Sequence, residues 1–207
     1  MQIHDIEQYS DEWWALRKGR FTASMAGKII TPTGRESTQY KAEIGRLIAE
    51  GLGLQEPEEF AGTEWMQRGS ELEQEARAWF SFDRGLDVKP VGIITVGDHL
   101  AASPDGITGY MPQPIPCEFK VPKPSTHIRW LLAGGLPSEH AAQVHFQMAV
   151  MDAPFAYFMS YHPELEPLVE KVMRDEFTDK LQLYVEKAVD ELKTAYTRFS
   201  GGVDGEV

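Results

Sequence analysis

Between Ser103 and Lys120 the chain sets an acid, Asp105, in the turn SPDG, ahead of a strand-like CEFK that carries Glu118 and Lys120 in alternation. Residues two apart on a strand share a face. Glu118 and Lys120 therefore point one way and Phe119 the other, into the core. Two carboxylates and an ammonium meeting at a strand end form a site for a hard divalent cation. Asp and Glu oxygens suit Mg²⁺, which takes few protein ligands and keeps waters for a substrate phosphate. The lysine can orient or deprotonate a water and screen charge on a phosphorane-like transition state. Such a set equips a protein for metal-assisted cleavage of a phosphodiester. The same E-x-K alternation also occurs as solvated strand surface. The neighbours weigh against that: Ala101, Ala102 and Pro104 flank Asp105, and Ile115, Val121 and Pro122 flank Glu118. A carboxylate with apolar flanks is more often a ligand or catalytic group than idle surface.

Three further groups could serve the same chemistry. On a helix expected from Thr63 to Phe82, Glu71, Glu73 and Glu75 crowd beside an apolar stripe of Leu72, Ala76, Trp79 and Phe80. Glu73 borders that stripe and is the acid able to face a metal, although a lone helical Glu is more commonly plain surface. On a helix expected from Ser138 to Met151, His140, Gln143 and Gln147 form a polar face amid Ala141, Ala142, Val144, Phe146 and Met148. That face is either hydrogen-bonded surface or the lining of a substrate groove. Near the N-terminus Arg17 precedes Thr22-Ala23-Ser24; an arginine, hydroxyls and a helix start make a phosphate pocket. A capped helix with a surface arginine is the plainer reading of those residues. His127 and His145 lack a second histidine at a ligand spacing and read as surface or core.

The elements that must position these groups follow from periodicity and turn chemistry. Ser10 caps a helix from Asp11 to Lys18, and Thr22 or Ser24 caps a short one ending near Pro32–Gly34. Tyr40 to Gly51 is amphipathic, and an acidic loop leads to the helix from Thr63. Strands are expected at Val88–Thr95, His99–Ser103 and Ile115–Val121. A Pro- and Ser-containing loop then leads to the helix from Ser138. Strands at Phe155–Tyr161 and Leu168–Arg174 precede a closing helix from Asp175 to about Phe199. This order predicts one α/β (α+β) domain over 1–207, three-layered, with a mixed central sheet flanked by helices and a frayed tail from about residue 200.

At 207 residues the chain buries a core without staples, and its single cysteine, Cys117, excludes a disulfide framework or a four-cysteine metal site. No leader and no membrane-length apolar run are evident, so a soluble protein of the cytoplasm with no membrane contact is expected. The net charge of −12 argues against generic coating of nucleic acid, yet Arg17 to Arg46 is locally basic. An acidic solubilising surface with one basic helix fits the same charges.

The order of these pieces resembles one family. W-x-x-L-R-x-G-x-x-T-A-S (Trp13 to Ser24), G-x-x-x-E-x-x-A-R (Gly69 to Arg77), SPDG (Ser103 to Gly106), E-x-K (Glu118 to Lys120) and A-A-Q-V-x-x-Q-M (Ala141 to Met148) look like the phage lambda exonuclease family. These are viral-recombinase, YqaJ-type alkaline exonucleases of the PD-(D/E)XK superfamily, with a restriction-endonuclease-like fold. The resemblance spans Trp13 to about Tyr161. It implies that Asp105 and Glu118 hold Mg²⁺, with Mn²⁺ as a substitute, and that the Phe119 carbonyl is a further ligand. It further implies that Lys120 activates the water, that Glu73 borders the metal, and that Gln143 positions groups around the water and scissile phosphate. Arg17, Ser24 and Ser103 would bind a 5′-phosphate. Also implied are 5′-to-3′ digestion of one strand of double-stranded DNA ends, a homotrimeric ring, a single-strand-annealing recombination partner, and a phage or prophage source in a bacterial cell. His140 departs from the pattern, standing where the lambda enzyme has an aromatic hydroxyl. An endonuclease of the same fold and a non-catalytic DNA-end-binding protein are the alternatives; an intact Asp105, Glu118 and Lys120 speaks against the second.

Overall fold

A computed structural model describes residues 1–54, 64–109 and 113–200, the side chains of 64–71 and 200 excepted. Most of the expected acidic loop after Gly51, the side chain of Glu71 and the tail from Gly201 lie outside the described residues. Helix α1 (Asp11–Arg17) starts where expected, with the Ser10 hydroxyl accepting the Trp13 N–H. Helices α3 (Tyr40–Gly51), α4 (Glu64–Arg84), α6 (Ser138–Met151) and α7 (Glu176–Ser200) also match the periodic readings.

The strands fall into two four-stranded mixed sheets. In the first, β1 (Gln2–His4), β3 (Ile93–Val96) and β4 (Leu100–Ala102) run antiparallel in turn, and β2 (Phe21–Thr22) adds to β4 in parallel. In the second the order is β5 (Gly106–Thr108), β6 (Ile115–Lys120), β7 (Phe155–Ser160), β8 (Leu168–Met173), with β6 and β7 parallel and the outer pairs antiparallel. The expected strand Val88–Thr95 is divided between them: Lys89 exchanges backbone bonds with Ile107, while Ile93 onward joins the first sheet. Pro90 lies in the break, where a residue without an N–H cannot continue a ladder.

The connection from β6 to β7 is a crossover, as parallel strands require. It contains α6 and also α5 (Pro124–Ala133), where the sequence predicts a loop. Pro124 opens α5 at a first-turn position where its missing N–H is harmless. One sheet face packs on α4 through Ala76, Phe80, Cys117, Phe119 and Met159. The opposite face packs on α5 and α6 through Trp130, Val144, Met148 and Phe158. A third cluster, built on Phe21, Ile29, Leu47, Phe146 and Leu181, ties α6 to α2 (Ala26–Ile29), α3 and α7. Strand β6 is therefore covered on both faces, and Glu118 lies within the packed layers. Among the described residues no helix is long and apolar enough to cross a membrane.

Candidate active site

The step from β4 to β5 is also the step from one sheet to the other, and Asp105 stands on it. Gly106 makes this close turn possible: a Cβ there would meet Val88 Cγ1 at 2.6 Å. Asp105 Oδ2 accepts the Phe119 N–H at 2.6 Å, which draws the acid against the C-terminal end of β6. From the α4 side, Arg77 Nη1 donates to the Asp105 carbonyl at 2.9 Å. The aspartate is thus fixed by its backbone and by its side chain.

Glu118 points from β6 toward α6 and is only 1% exposed. Its Oε1 accepts from Lys120 Nζ and from Gln143 Nε2, the latter at 2.5 Å. Its Oε2 accepts Gln147 Nε2 at 2.6 Å. Residues four apart share a helix face, so two amides on α6 grip the two oxygens of one carboxylate. Lys120 shares the strand face as the alternation requires, and its side chain keeps 26% exposure. Glu73 lies 3.8 Å from Arg77 Nη1, one turn along α4.

Charge is unevenly compensated across this cluster. Burial, and then the negative charge of Glu118, push the Asp105 carboxyl well above the usual range, with Lys120 opposing. Burial likewise raises Glu73 against the pull of Arg77 and Lys120. Burial alone would lower the Lys120 ammonium, but Glu118 and Asp105 override it and hold its pKa above the ordinary value. The pocket has more negative charge than its two cations satisfy.

The donor set fits a hard cation. Asp105 and Glu118 supply carboxylate oxygens, and the buried Gln147 Oε1, on the amide that clamps Glu118, has no hydrogen-bond partner in the structure. Among the described residues no three His, Cys, Asp or Glu side chains converge closely enough to make a full cage. An ion held here would have two carboxylates and keep waters, which is the habit of Mg²⁺ and not of a structural zinc.

A second polar group lies beside the first. Arg17 Nη2 donates to Thr22 Oγ1 and Ser24 Oγ, both at 3.2 Å, and its guanidinium lies 4.2 Å from the Trp13 ring centroid. Neither hydroxyl caps a helix, contrary to the expectation: a 3₁₀ turn, Ala23–Met25, follows Thr22 with no side-chain cap, and α2 has only four residues. A helix dipole therefore adds little here, and the anion-binding character rests on the guanidinium and the hydroxyls. Ser103 joins the group through Trp13, whose indole N–H donates to Ser103 Oγ at 3.0 Å.

The structure thus gathers Asp105, Glu118, Phe119, Lys120, Glu73 and Gln143 around one strand, and Arg17, Ser24 and Ser103 around Trp13. Sequence reasoning did not single out Arg77 or pick Gln147 from the polar face of α6. The i, i+4 spacings Glu73–Arg77 and Gln143–Gln147 were the available signals. His127 and His145 are buried and bonded elsewhere, to Ser160 and Thr178. His140 packs between Trp130 and Phe158 at the rim of the site, and burial, then Lys120, lower its pKa. Two members of the basic segment are spent internally, since Lys28 and Arg46 both pair with the buried Glu43.

Known proteins share this arrangement of elements. The model of the YqaJ-like viral recombinase domain matches residues 12–154. The alkaline exonuclease LHK-Exo from Laribacter hongkongensis is 28% identical with a TM-score of 0.69, over 93% of this chain and 99% of that one. The complex of LHK-Exo with dAMP gives a TM-score of 0.70 at the same identity and coverage. A phage-related exonuclease from Haemophilus somnus 129PT shares the fold, with a TM-score of 0.62 and 15% identity over 89% of this chain and 98% of that one. A search of the curated proteins finds no match.

Proposed function

The chain belongs to the YqaJ-like viral recombinase family, and from that premise we propose that it is a Mg²⁺-dependent exonuclease of homologous recombination. It digests one strand of duplex DNA from the 5′ end. The observation that carries this reading is the convergence of Asp105, Glu118 and Lys120 on one strand end, beside the hydroxyl-lined Arg17. Its similarity to an alkaline exonuclease, one that has been solved in complex with dAMP, supports the reaction class.

Asp105, Glu118 and the Phe119 carbonyl would hold Mg²⁺, which when bound neutralises phosphate charge as a Lewis acid. Mn²⁺, with the same oxygen preference, would substitute. The chain's own residues do the rest. The amides of Gln143 and Gln147 lock the Glu118 carboxylate in one orientation, so the oxygens need no reorganisation as the reaction proceeds. Lys120 offers an ammonium that orients the attacking water and screens charge growing on the phosphoryl oxygens. The water oxygen bonds to phosphorus while the bond to the 3′-oxygen of the terminal nucleotide breaks, and the proton the water gives up ends on that oxygen, which leaves as a 3′-hydroxyl. The shortened strand carries a new 5′-phosphate, for which Arg17, Ser24 and Ser103 supply a receptor. Glu73, held near Arg77, borders the site and adds to its negative field. A ring of three subunits around DNA and an annealing protein that coats the exposed strand complete the proposal.

The competing reading, an endonuclease of the same fold, needs no terminal-phosphate receptor. Linear and covalently closed duplexes of one sequence, incubated with Mg²⁺ or with EDTA, separate the two. Digestion of the linear form alone, and only with Mg²⁺, is expected; nicking of the closed form would overturn the exonuclease reading.

A further inference from the structure

Tyr9 adopts φ +69°, one of only two non-glycine residues at positive φ among those described. An aromatic side chain is sterically disfavoured there, and such strain persists where the surroundings or a function require it. The turn closed by the Ser10 N–H on the Glu7 carbonyl sets this φ, and it leaves Tyr9 63% exposed. Its ring lies 5.0 Å from Trp13 at 43° and 6.4 Å from Trp14 at 60°, tilted against both, so it forms the outer member of an aromatic cluster. That cluster is anchored from beneath by the Trp13 bonds to Ser103 Oγ and the Gly92 carbonyl.

The position of Tyr9 is equally specific. It lines a cleft of about 380 Å³ together with Glu73, Arg77 and Asp105, a volume suited to a small ligand. Its ring meets Trp13, over which the Arg17 guanidinium lies, on one side, and it shares the cleft with Asp105 and Glu73 on the other. Tyr9 therefore stands between the two polar groups. In the function proposed above, on which this inference rests, the terminal nucleotide spans them: its 5′-phosphate on Arg17, its 3′-phosphate at Asp105 and Glu118. What lies between the two phosphates of one nucleotide is its sugar and base.

We propose that Tyr9 is the substrate-contact residue for the 5′-terminal nucleotide, stacking its ring on the terminal base. Each base has a π-face, so this contact is tolerant of sequence and sets affinity for the end. The Glu7–Ser10 turn sets the ring at the cleft it lines.

The test compares the full-length protein with Tyr9→Gly and Tyr9→Phe. Glycine relieves the positive φ, so its melting temperature should hold or rise, which separates a binding defect from a folding defect. Binding of a 5′-phosphorylated fluorescent duplex, measured by anisotropy with Ca²⁺ in place of Mg²⁺, should weaken about tenfold in Tyr9→Gly, the scale of one lost stack. Tyr9→Phe should stay within about twofold of wild type, because it keeps the ring. A duplex whose terminal 5′ nucleotide is abasic should bind wild type and Tyr9→Gly alike. Equal affinity of Tyr9→Gly and wild type for the intact duplex, or equal losses in Tyr9→Gly and Tyr9→Phe, overturns the stacking role. Because binding is read without turnover, wild-type protein that binds ends but does not digest them would refute the exonuclease proposal and leave this contact standing.

Discussion

Asp105 and Glu118 should respond oppositely to loss of charge, although losing either should abolish cleavage. Asp105 sits in a pocket with surplus negative charge; its carboxyl has one bond, from the Phe119 N–H, and is raised by burial and by Glu118. In Asp105→Asn the amide oxygen can keep that bond while the repulsion disappears. Relieving a buried, poorly compensated polar group is worth about 1–3 kcal/mol, and a chain of this size gains about 2–4 °C per kcal/mol. The metal-free variant should therefore melt about 2–12 °C above wild type. Glu118 is the reverse case, because its two oxygens accept from Lys120, Gln143 and Gln147. In Glu118→Gln one oxygen becomes a donor facing donors, and Lys120 loses its ion-pair partner. Breaking a buried pair costs about 3–5 kcal/mol, so with Lys120 still 26% exposed about 2–4 kcal/mol is expected here. Melting in EDTA and in excess Mg²⁺ reads both effects. Mg²⁺ at a hundred times its dissociation constant should stabilise wild type by about 2.7 kcal/mol and Asp105→Asn far less. An Asp105→Asn protein less stable than wild type in EDTA would refute the reasoning about charge surplus.

Other expectations follow from the same geometry. Lys120→Ala should lower kcat by about two to four orders of magnitude, read in single-turnover digestion, whereas a raised KM with unchanged kcat would make it a binding residue only. Arg17→Ala should cost about ten- to a hundredfold on 5′-phosphorylated ends and little on hydroxyl ends, and equal losses on both would refute a terminal-phosphate receptor. Burial, opposed by Asp175, holds the folded His145 imidazole below its ordinary value. The unfolded chain then binds more protons, so the contribution of His145 to stability is complete above the unfolded value of about pH 6.5 and is lost as pH falls from there through the lower folded value. Urea midpoints of His145→Gln should accordingly show a flatter acid slope than wild type, and an unchanged slope contradicts this. Light scattering at micromolar concentration should give a trimer mass; a clean monomer removes the ring and leaves the nuclease proposal intact.

The site was legible where side-chain direction follows from local periodicity. Strand alternation put Glu118 and Lys120 on one face and Phe119 on the other, and the structure keeps that arrangement. It could not show that both faces are covered, because that depends on α4 and α6 packing from opposite sides. Gln143 and Gln147 were visible as a polar stripe, but their common acceptor lies on a strand distant in sequence. The division into two sheets hinged on the breaks at Pro90 and at Ser103–Asp105, where short apolar runs on either side read as strand without revealing which sheet each joins. Helix α5 reads as loop from sequence because Pro124 and Ser125 open it, although proline at a helix start is a favourable signal. Tyr9 carries no sequence mark at all, since a positive φ at a tyrosine is set by the turn around it.

The most direct test of the account is strand polarity. Linear duplexes carrying one label at the 5′-terminal nucleotide or at the 3′-terminal nucleotide of the same strand are digested in Mg²⁺, and the released label is followed by time and size. The account predicts prompt release of the 5′ label as a mononucleotide, release of the 3′ label only after a delay that grows with duplex length, and no release of either in EDTA. Prompt release of the 3′ label, first products longer than a mononucleotide, or release in EDTA would contradict it.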